Sequence, residues 1–329
     1  MSNPFRLGII GTGRIAQTYL ANLNEVSGLD LVAVCDTEPA VVAASAEAYG
    51  CKSYTDPKAL LTSEGLDGVV IATPPVTHKE IAIEAFRNGA HVLCEKPVAI
   101  SGADIREMQM QAREHGRRLM MASKFRYVDD VSKARSIVQA GILGAPVRFE
   151  NTFANWLDVR QRWNSKREIA GGGVLIDNGT HSVDIARFIL GPITDVSAYH
   201  GPKIQAIEVE DTSHLSFRSA SGATGMVDVS WSIHKELSSY VEIWGTEGML
   251  SLGWRESKYR QNHQTTWVQF GNGYDKNLAF RSQLDNFVNH CAGKEPARIS
   301  SDDALASVLV IEAAYQSADD GSWRKVPQE

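Results

Sequence analysis

Short apolar runs alternate with helical patterns over the first 120 or so residues. The helix expected after residue 100 has Ser101 as its N-cap, with Asp104 three residues later and Ile105 on the apolar face. Apolar strands that alternate with amphipathic helices predict βαβ units and a parallel sheet covered on both faces. We therefore predict an α/β domain over residues 1–122. Its apolar runs lie at 7–10, 31–35, 69–72, 91–94 and 119–122.

The second half of the chain follows a different pattern. Apolar and polar residues alternate over 226–231, as in a strand with one buried face. Several such runs follow one another without intervening helices, which is typical of an antiparallel sheet. Helices are expected over about 173–190 and 302–318. These features predict an α+β domain over residues 123–329, built on a large, mainly antiparallel open sheet.

Composition excludes several classes of protein. The chain has 329 residues and a formal net charge of −6, so it has no basic footprint for nucleic acid. No stretch approaches the ~20 apolar residues of a membrane span, and the N-terminus lacks a signal-peptide pattern. The four cysteines have neither zinc-ligand spacing nor a disulfide-framework pattern. Together these features predict a cytoplasmic protein with reduced thiols.

A glycine-rich turn follows the first apolar run. In the sequence Gly11-Thr12-Gly13-Arg14-Ile15-Ala16, the first glycine permits a tight turn and the second lets a pyrophosphate approach the backbone. The helix that begins here offers free N–H groups and the positive end of its dipole to phosphates. We predict a Rossmann dinucleotide site that includes Gly11, Gly13, Arg14 and Ile15, although an ordinary turn before a helix gives a similar pattern.

An acidic residue stands at the end of the second apolar run. Asp36 lies twenty residues after Ala16, where a carboxylate accepts hydrogen bonds from ribose hydroxyls and repels a 2′-phosphate. This favours NAD as the cofactor. NADP stays possible because Arg14 could bind the extra phosphate. The alternative for Asp36 is a helix cap or a turn residue.

Motifs in both halves resemble one known family. Glu95-Lys96-Pro97 stands at the end of a predicted parallel strand. Thr73-Pro74 stands at the end of the preceding strand, and His78 lies nearby in the sequence. In the second half, Gly171-Gly172-Gly173-Val174-Leu175-Ile176-Asp177 is followed by His181 and Asp184. This order resembles the glucose–fructose oxidoreductase / inositol dehydrogenase / MocA (Gfo/Idh/MocA) family over essentially the whole chain.

The resemblance implies the chemistry of the site. It assigns Lys96 a role in proton transfer and in anchoring the reacting hydroxyl, and it places Asp177 and His181 in the same cleft. We also predict cofactor contacts from Thr73, Pro74, His78 and Glu95. By resemblance the reaction needs no metal, and the open sheet forms the contacts of a homodimer or homotetramer.

Asp177 and His181 are four residues apart, so on a helix they share one face. Both could therefore meet one substrate, and either Lys96 or His181 could accept the hydroxyl proton. The sequence does not decide between these two bases. A structural histidine or a metal-binding pair are the alternatives, although no third metal ligand is evident.

Four further residues are candidates for substrate contacts. Arg126 follows the last strand of the first domain, Arg162 and Trp163 precede the glycine run, and Asn178 follows Asp177. An arginine can hold hydroxyls, and an indole face can stack on a sugar ring. The alternative is a set of surface or loop residues without a ligand.

These patterns predict an NAD(P)-dependent oxidoreductase that acts on a secondary hydroxyl of a sugar or cyclitol. One alternative is the reverse activity, an NAD(P)H-dependent reductase of a keto-sugar. Another is a non-catalytic nucleotide-sensing protein on the same fold, since fold does not fix function. The presence of Lys96, Asp177 and His181 together argues against this last alternative.

Overall fold

The computed structural model describes residues 3–328. The chain forms two compact units: the first unit contains residues up to 124 together with 276–305, and the second unit contains 125–275 and the residues from 306 onward. The helices are α1 (Arg14–Asn22), α2 (Pro39–Tyr49), α3 (Pro57–Ser63), α4 (His78–Arg87), α5 (Gly102–Glu114), α6 (Asp129–Gln139), α7 (Arg167–Ala170), α8 (Thr180–Leu190), α9 (Lys276–Cys291) and α10 (Ser301–Asp320).

The first unit is built on a parallel six-stranded sheet in the order β3-β2-β1-β4-β5-β6. Its central strand is apolar because both faces are covered: Leu7, Ile9 and Ile10 are at most 1% exposed. The doubly wound order reverses at β1 and β4, as predicted for a Rossmann domain. Its strands are β1 (Phe5–Ile10), β2 (Leu29–Cys35), β3 (Lys52–Tyr54), β4 (Gly68–Ile71), β5 (His91–Glu95) and β6 (Leu119–Ala122).

Helix α9 returns to the first unit from late in the sequence. The Phe287 ring meets Phe5 of β1 edge-on at 5.8 Å between centroids, and Phe280 meets Tyr19 of α1 at 4.8 Å. The sequence pattern predicts that residues 276–305 are part of the second domain. In the structure they belong to the first unit instead, because the apolar face of α9 is buried against α1 and the sheet of that unit.

The second unit contains a nine-stranded sheet in the order β14-β13-β12-β11-β7-β10-β9-β8-β15. All its pairs are antiparallel except β7 with β10, so the predicted mainly antiparallel sheet is confirmed. Helices α6 and α8 pack on one face. The strands are β7 (Pro146–Ala154), β8 (Ile193–His200), β9 (Thr212–Ser219), β10 (Thr224–Ser230), β11 (Ser239–Gly245), β12 (Gly248–Gly253), β13 (Ser257–Gln261), β14 (Val268–Gly271) and β15 (Arg324–Lys325).

The helix predicted over about 173–190 is not uniform. A π-helical turn, Leu175–Gly179, precedes α8, so Asp177 lies in the π turn and His181 in the first turn of α8. Turns of this type occur mostly as single turns and often at functional sites. None of the helices between residues 3 and 328 combines the length and apolarity that a membrane span requires.

Candidate active site

Four predicted site residues lie at one edge of the parallel sheet. Gly11 follows β1, Asp36 follows β2, Thr73 follows β4 and Lys96 follows β5. Because these strands are parallel and adjacent, their carboxyl ends meet at the same edge. Open α/β sheets bind their ligands at this edge, where the strand order reverses.

The turn after β1 fits a pyrophosphate. Gly11 has φ +88°, and a Cβ atom there would lie 2.7 Å from the backbone carbonyl of Ala72. At Gly13 a Cβ would meet nothing within 4 Å, so this side of the turn is open. Helix α1 begins at Arg14, and no side chain of the described residues caps its N-terminus. The exposed helix end can therefore receive an anion.

Asp36 is anchored beside this turn. Its Oδ2 accepts hydrogen bonds from the Thr12 backbone N–H at 2.7 Å and the Thr12 hydroxyl at 3.0 Å, and its Oδ1 accepts from the Glu38 N–H at 3.1 Å. A carboxylate offers about four acceptor sites, so about one is left for a ribose hydroxyl. The half-buried side chain is thus held in place while keeping acceptor capacity. These contacts fit NAD.

His78 is buried behind the strand ends. It is 1% exposed, with Nδ1 3.0 Å from the Pro97 carbonyl oxygen and Nε2 2.8 Å from the Thr73 carbonyl oxygen. Burial lowers the pKa of His78. The imidazole thus lies between the turn at Thr73 and the turn that follows Lys96, and its predicted contact with the cofactor stays a prediction.

Glu95 is also buried. The Tyr19 hydroxyl donates to Glu95 Oε1 at 2.7 Å, and the Gln283 amide donates to the Tyr19 hydroxyl at 2.6 Å. Burial raises the pKa of Glu95, opposed by the Tyr19 hydrogen bond and by Lys96. The Lys96 backbone N–H also donates to Glu95 Oε2 at 3.2 Å, and the predicted contact of Glu95 with the cofactor stays a prediction.

In the second unit, Asp177 and His181 occupy the junction of the π turn with α8. His181 is 8% exposed, and its ring lies against the edge of the Phe125 ring at 5.1 Å between centroids. Asp177 is half-buried. The neighbouring Asn178 amide donates to the Phe153 carbonyl at 3.5 Å, which links the π turn to the end of β7. Asp177 and His181 thus stay about one helical turn apart.

Arg126 is buried and forms an ion pair with Asp184. Its guanidinium donates to both carboxylate oxygens of Asp184, with the shortest distance 2.7 Å between Nη2 and Oδ1. It also lies 4.8 Å from the centre of the Phe188 ring. The predicted contact of Arg126 with a substrate stays a prediction. Asp184, the last acidic residue of the signature, is the partner of Arg126 in this buried pair.

Arg162 and Trp163 lie in the loop before α7. The Trp163 side chain is 45% exposed, whereas Arg162 is half-buried and its carbonyl accepts from the Ser165 N–H at 3.1 Å. Their predicted role in substrate binding stays a prediction. Between residues 3 and 328 no group of three or more His, Cys, Asp or Glu side chains is placed to hold a metal ion.

The sequence matches family models in both halves. Residues 5–123 match the model described as an oxidoreductase family with an NAD-binding Rossmann fold. Residues 131–251 match the GFO/IDH/MocA C-terminal domain. These matches confirm the predicted fold class, the oxidoreductase class and NAD binding.

Curated relatives and solved structures agree with this assignment. The 1,5-anhydro-D-fructose reductase of Ensifer adhaerens is 32% identical, over 74% of this chain and 74% of the reductase. The D-apiose dehydrogenase of Paraburkholderia graminis is 29% identical, over 96% of this chain and 88% of the dehydrogenase. The crystal structure of GenD2 from gentamicin A biosynthesis, in complex with NAD, is 27% identical with a TM-score of 0.88, over 100% of this chain and 98% of GenD2. The chain belongs to the Gfo/Idh/MocA family of NAD-binding oxidoreductases.

Proposed function

We propose that the protein transfers a hydride between a secondary hydroxyl of a sugar or cyclitol and the nicotinamide of NAD. One observation carries the proposal: Lys96, a residue able to exchange a proton with a hydroxyl, follows β5 at the same sheet edge as the glycine turn and Asp36. The named relatives act on compounds of this class, namely D-apiose and 1,5-anhydro-D-fructose.

The chain's own residues have distinct parts in this reaction. Bound NAD supplies the hydride acceptor. Oxidation of a carbinol also requires a base for the hydroxyl proton, and Lys96 or His181 takes this role. Asp177 accepts a hydrogen bond from a substrate hydroxyl and orients it. Arg162, Trp163 and Asn178 contact the remaining hydroxyls and the ring, while Thr73 and Pro74 border the cofactor.

The reverse direction is the second candidate. The Ensifer adhaerens relative, at 32% identity, is named as a reductase of an anhydro-keto-sugar. A reductase would use the same residues in the opposite sense, with Lys96 or His181 donating the proton to the new hydroxyl. The Asp36 carboxylate disfavours the 2′-phosphate of NADPH, so NADH is the expected reductant.

An absorbance assay of reduced nicotinamide tests both candidates, since the dehydrogenase forms it and the reductase consumes it. The panel contains D-apiose, glucosides, anhydrosugars and inositols with NAD or NADP, and 1,5-anhydro-D-fructose with NADH or NADPH. We expect NAD-dependent turnover with at least one sugar or cyclitol. Turnover only with the keto-sugar would favour the reductase. Tight NAD binding with no turnover of any compound would contradict the proposed function.

We further propose a homodimer or homotetramer that works in the cytoplasm. On the sheet face away from α6 and α8, Tyr199 is 59% exposed and Met226 is 37% exposed, and a second copy of the chain would cover them. The four cysteines carry free thiols, as the reducing cytoplasm maintains them. Light scattering on the purified protein measures the oligomer size, and a monomer at micromolar concentration would contradict this assembly.

A further inference from the structure

A buried carboxylate accepts hydrogen bonds from the backbone just before the π turn. Glu210 is 3% exposed, and its Oε1 accepts from the N–H groups of Gly173 at 2.9 Å and Leu175 at 3.1 Å. The Tyr315 hydroxyl donates to the same oxygen at 2.6 Å. A carboxylate is a strong acceptor for the unpaired N–H groups of a helix N-terminus, and its charge is stabilised there by the helix dipole.

This contact explains the glycines in front of the π turn. A Cβ atom at Gly172 would lie 2.0 Å from the Tyr315 hydroxyl oxygen, and one at Gly173 would lie 2.0 Å from the Glu210 backbone oxygen. Neither glycine has a positive φ. Both are therefore required by the close approach of Glu210 and Tyr315, and not by backbone conformation.

The same backbone leads directly to Asp177. The Asp177 N–H donates to the Gly173 carbonyl at 3.1 Å, while the Val174 N–H donates to the Glu210 carbonyl at 3.0 Å. Glu210 thus binds three consecutive backbone N–H groups, those of residues 173–175, and the first of these residues also binds Asp177 through its carbonyl. His181 follows within one turn, so a shift of this segment would move both side chains.

We propose that Glu210 and Tyr315 are positioning residues that hold the π turn and so set the orientation of Asp177 and His181. The inference rests on the proposed function, because it assigns those two side chains to the substrate. Displacing a reacting group by about 1 Å can cost about 100-fold in rate, so small movements of this turn matter. A residue with only a structural role would change the stability of the fold without changing turnover by the folded enzyme.

Three substitutions and one control separate these roles. Glu210→Ala removes the acceptor, whereas Glu210→Gln keeps a carbonyl oxygen that can accept the same N–H bonds. Tyr315→Phe removes one donor and leaves the carboxylate. Glu208→Gln is the matched control, since Glu208 lies two residues away, is exposed and accepts from the Arg167 N–H at 3.1 Å.

Two measurements are made on the full-length protein: steady-state turnover with NAD, and hydrogen–deuterium exchange of the amides of residues 174–181. For Glu210→Ala we expect kcat to fall at least about tenfold and these amides to exchange at least about tenfold faster, with NAD affinity unchanged within about twofold. Glu210→Gln and the control should stay within about threefold of the native protein. Tyr315→Phe should be intermediate.

Unchanged exchange in Glu210→Ala would overturn the proposal, as would faster exchange with unchanged kcat. If Glu210→Ala does not fold, the same two measurements are made on Tyr315→Phe. Native values of both the exchange rates and kcat in Tyr315→Phe would then overturn the proposal. If the native protein oxidises no sugar, the proposed function fails, and the exchange rates alone then decide whether Glu210 holds the turn.

Discussion

The Arg126 guanidinium and the Asp184 carboxylate form a buried two-pronged ion pair, with exposures of 5% and 0%. The pair ties the 3-10 turn that contains Arg126 to the middle of α8. Removing one partner of such a pair leaves an uncompensated buried charge and costs about 3–5 kcal/mol. We therefore expect Arg126→Met to lower the free energy of unfolding by roughly that amount, measured by urea denaturation.

A double variant provides the control for this ion pair. Arg126→Met with Asp184→Leu removes both charges, and replacing a buried pair by apolar groups is often neutral. We expect it to recover most of the stability that the single variant loses. A double variant no more stable than Arg126→Met would show that the cost arises from lost packing, such as the contact of Arg126 with Phe188.

His78 is predicted to act on turnover without touching a ligand. His78→Ala would remove the ring that lies between the carbonyls of Thr73 and Pro97, one of which accepts its single N–H, so the turns after β4 and β5 would lose their common support. We expect kcat/KM to fall about tenfold or more. His78→Gln, whose amide can still donate to one carbonyl, should keep more activity. Equal kinetics for the native protein and both variants would contradict the positioning role.

Asp36 is predicted to select the cofactor. Asp36→Ala removes the acceptor for the ribose hydroxyls and the charge that repels a 2′-phosphate. A hydrogen bond to a charged group contributes about 1.5–3 kcal/mol, so NAD affinity should fall about tenfold or more. The ratio of kcat/KM for NAD to that for NADP should fall as well. An unchanged ratio of the two kcat/KM values would mean that Asp36 accepts the hydrogen bonds from Thr12 and Glu38 but does not select the cofactor.

Lys96 is predicted to be essential for the chemical step. Lys96→Met keeps the length of the side chain and removes the amine, and general acid–base catalysis contributes about 10²–10⁴-fold. We expect kcat to fall within that range while NAD affinity and melting temperature stay close to native. Lys58→Met, at an exposed lysine, is the control. Turnover that survives in Lys96→Met would assign the proton transfer to His181.

The sequence was sufficient to predict five of the six strands in the sheet of the first unit, because these five are apolar runs bounded by glycine and helix caps. Strand β3 was missed, because its three residues are polar or aromatic and none of them is buried. The Ser101 cap, for example, accepts the Asp104 N–H at 3.1 Å, as the pattern implied. The return of α9 was not predictable, since Phe280 and Phe287 show only that some apolar face must be covered. Which sheet covers it depends on tertiary packing.

The partners of several residues in the candidate site could not be predicted from the sequence either. The sequence marks His78, Glu95 and Arg126 as polar residues near motifs, but it does not reveal their partners. These are backbone carbonyls for His78, a tyrosine 76 residues away for Glu95 and an aspartate 58 residues away for Arg126. Glu210 gave no signal at all, because it stands in the acidic stretch Glu208-Val209-Glu210-Asp211, and carboxylates in such a stretch are normally solvated. The Gly172-Gly173 pair was the feature of the sequence that pointed to this contact, since glycines in a helical pattern indicate that another part of the chain packs closely against the backbone.

Stability is predicted to fall in mild acid because of His91. Its Nδ1 accepts a hydrogen bond from the Arg118 N–H at 3.0 Å, which only an unprotonated nitrogen can do. Burial, followed by the charges of Arg117 and Arg118, lowers the pKa of His91 from 6.5 to about 4. The folded-state pKa is below the unfolded one, so the unfolded chain takes up the proton first. Stability is thus unaffected by this group above about pH 7 and decreases as the pH falls from about 6.5 toward 4.

Urea midpoints at pH 7.5 and pH 5 measure the effect. His91→Asn, whose side-chain oxygen can accept the same bond, should reduce the difference between the two midpoints, whereas the exposed His263→Asn should leave it unchanged. An equal pH dependence in His91→Asn and the native protein would assign the acid sensitivity to other buried histidines, such as His78.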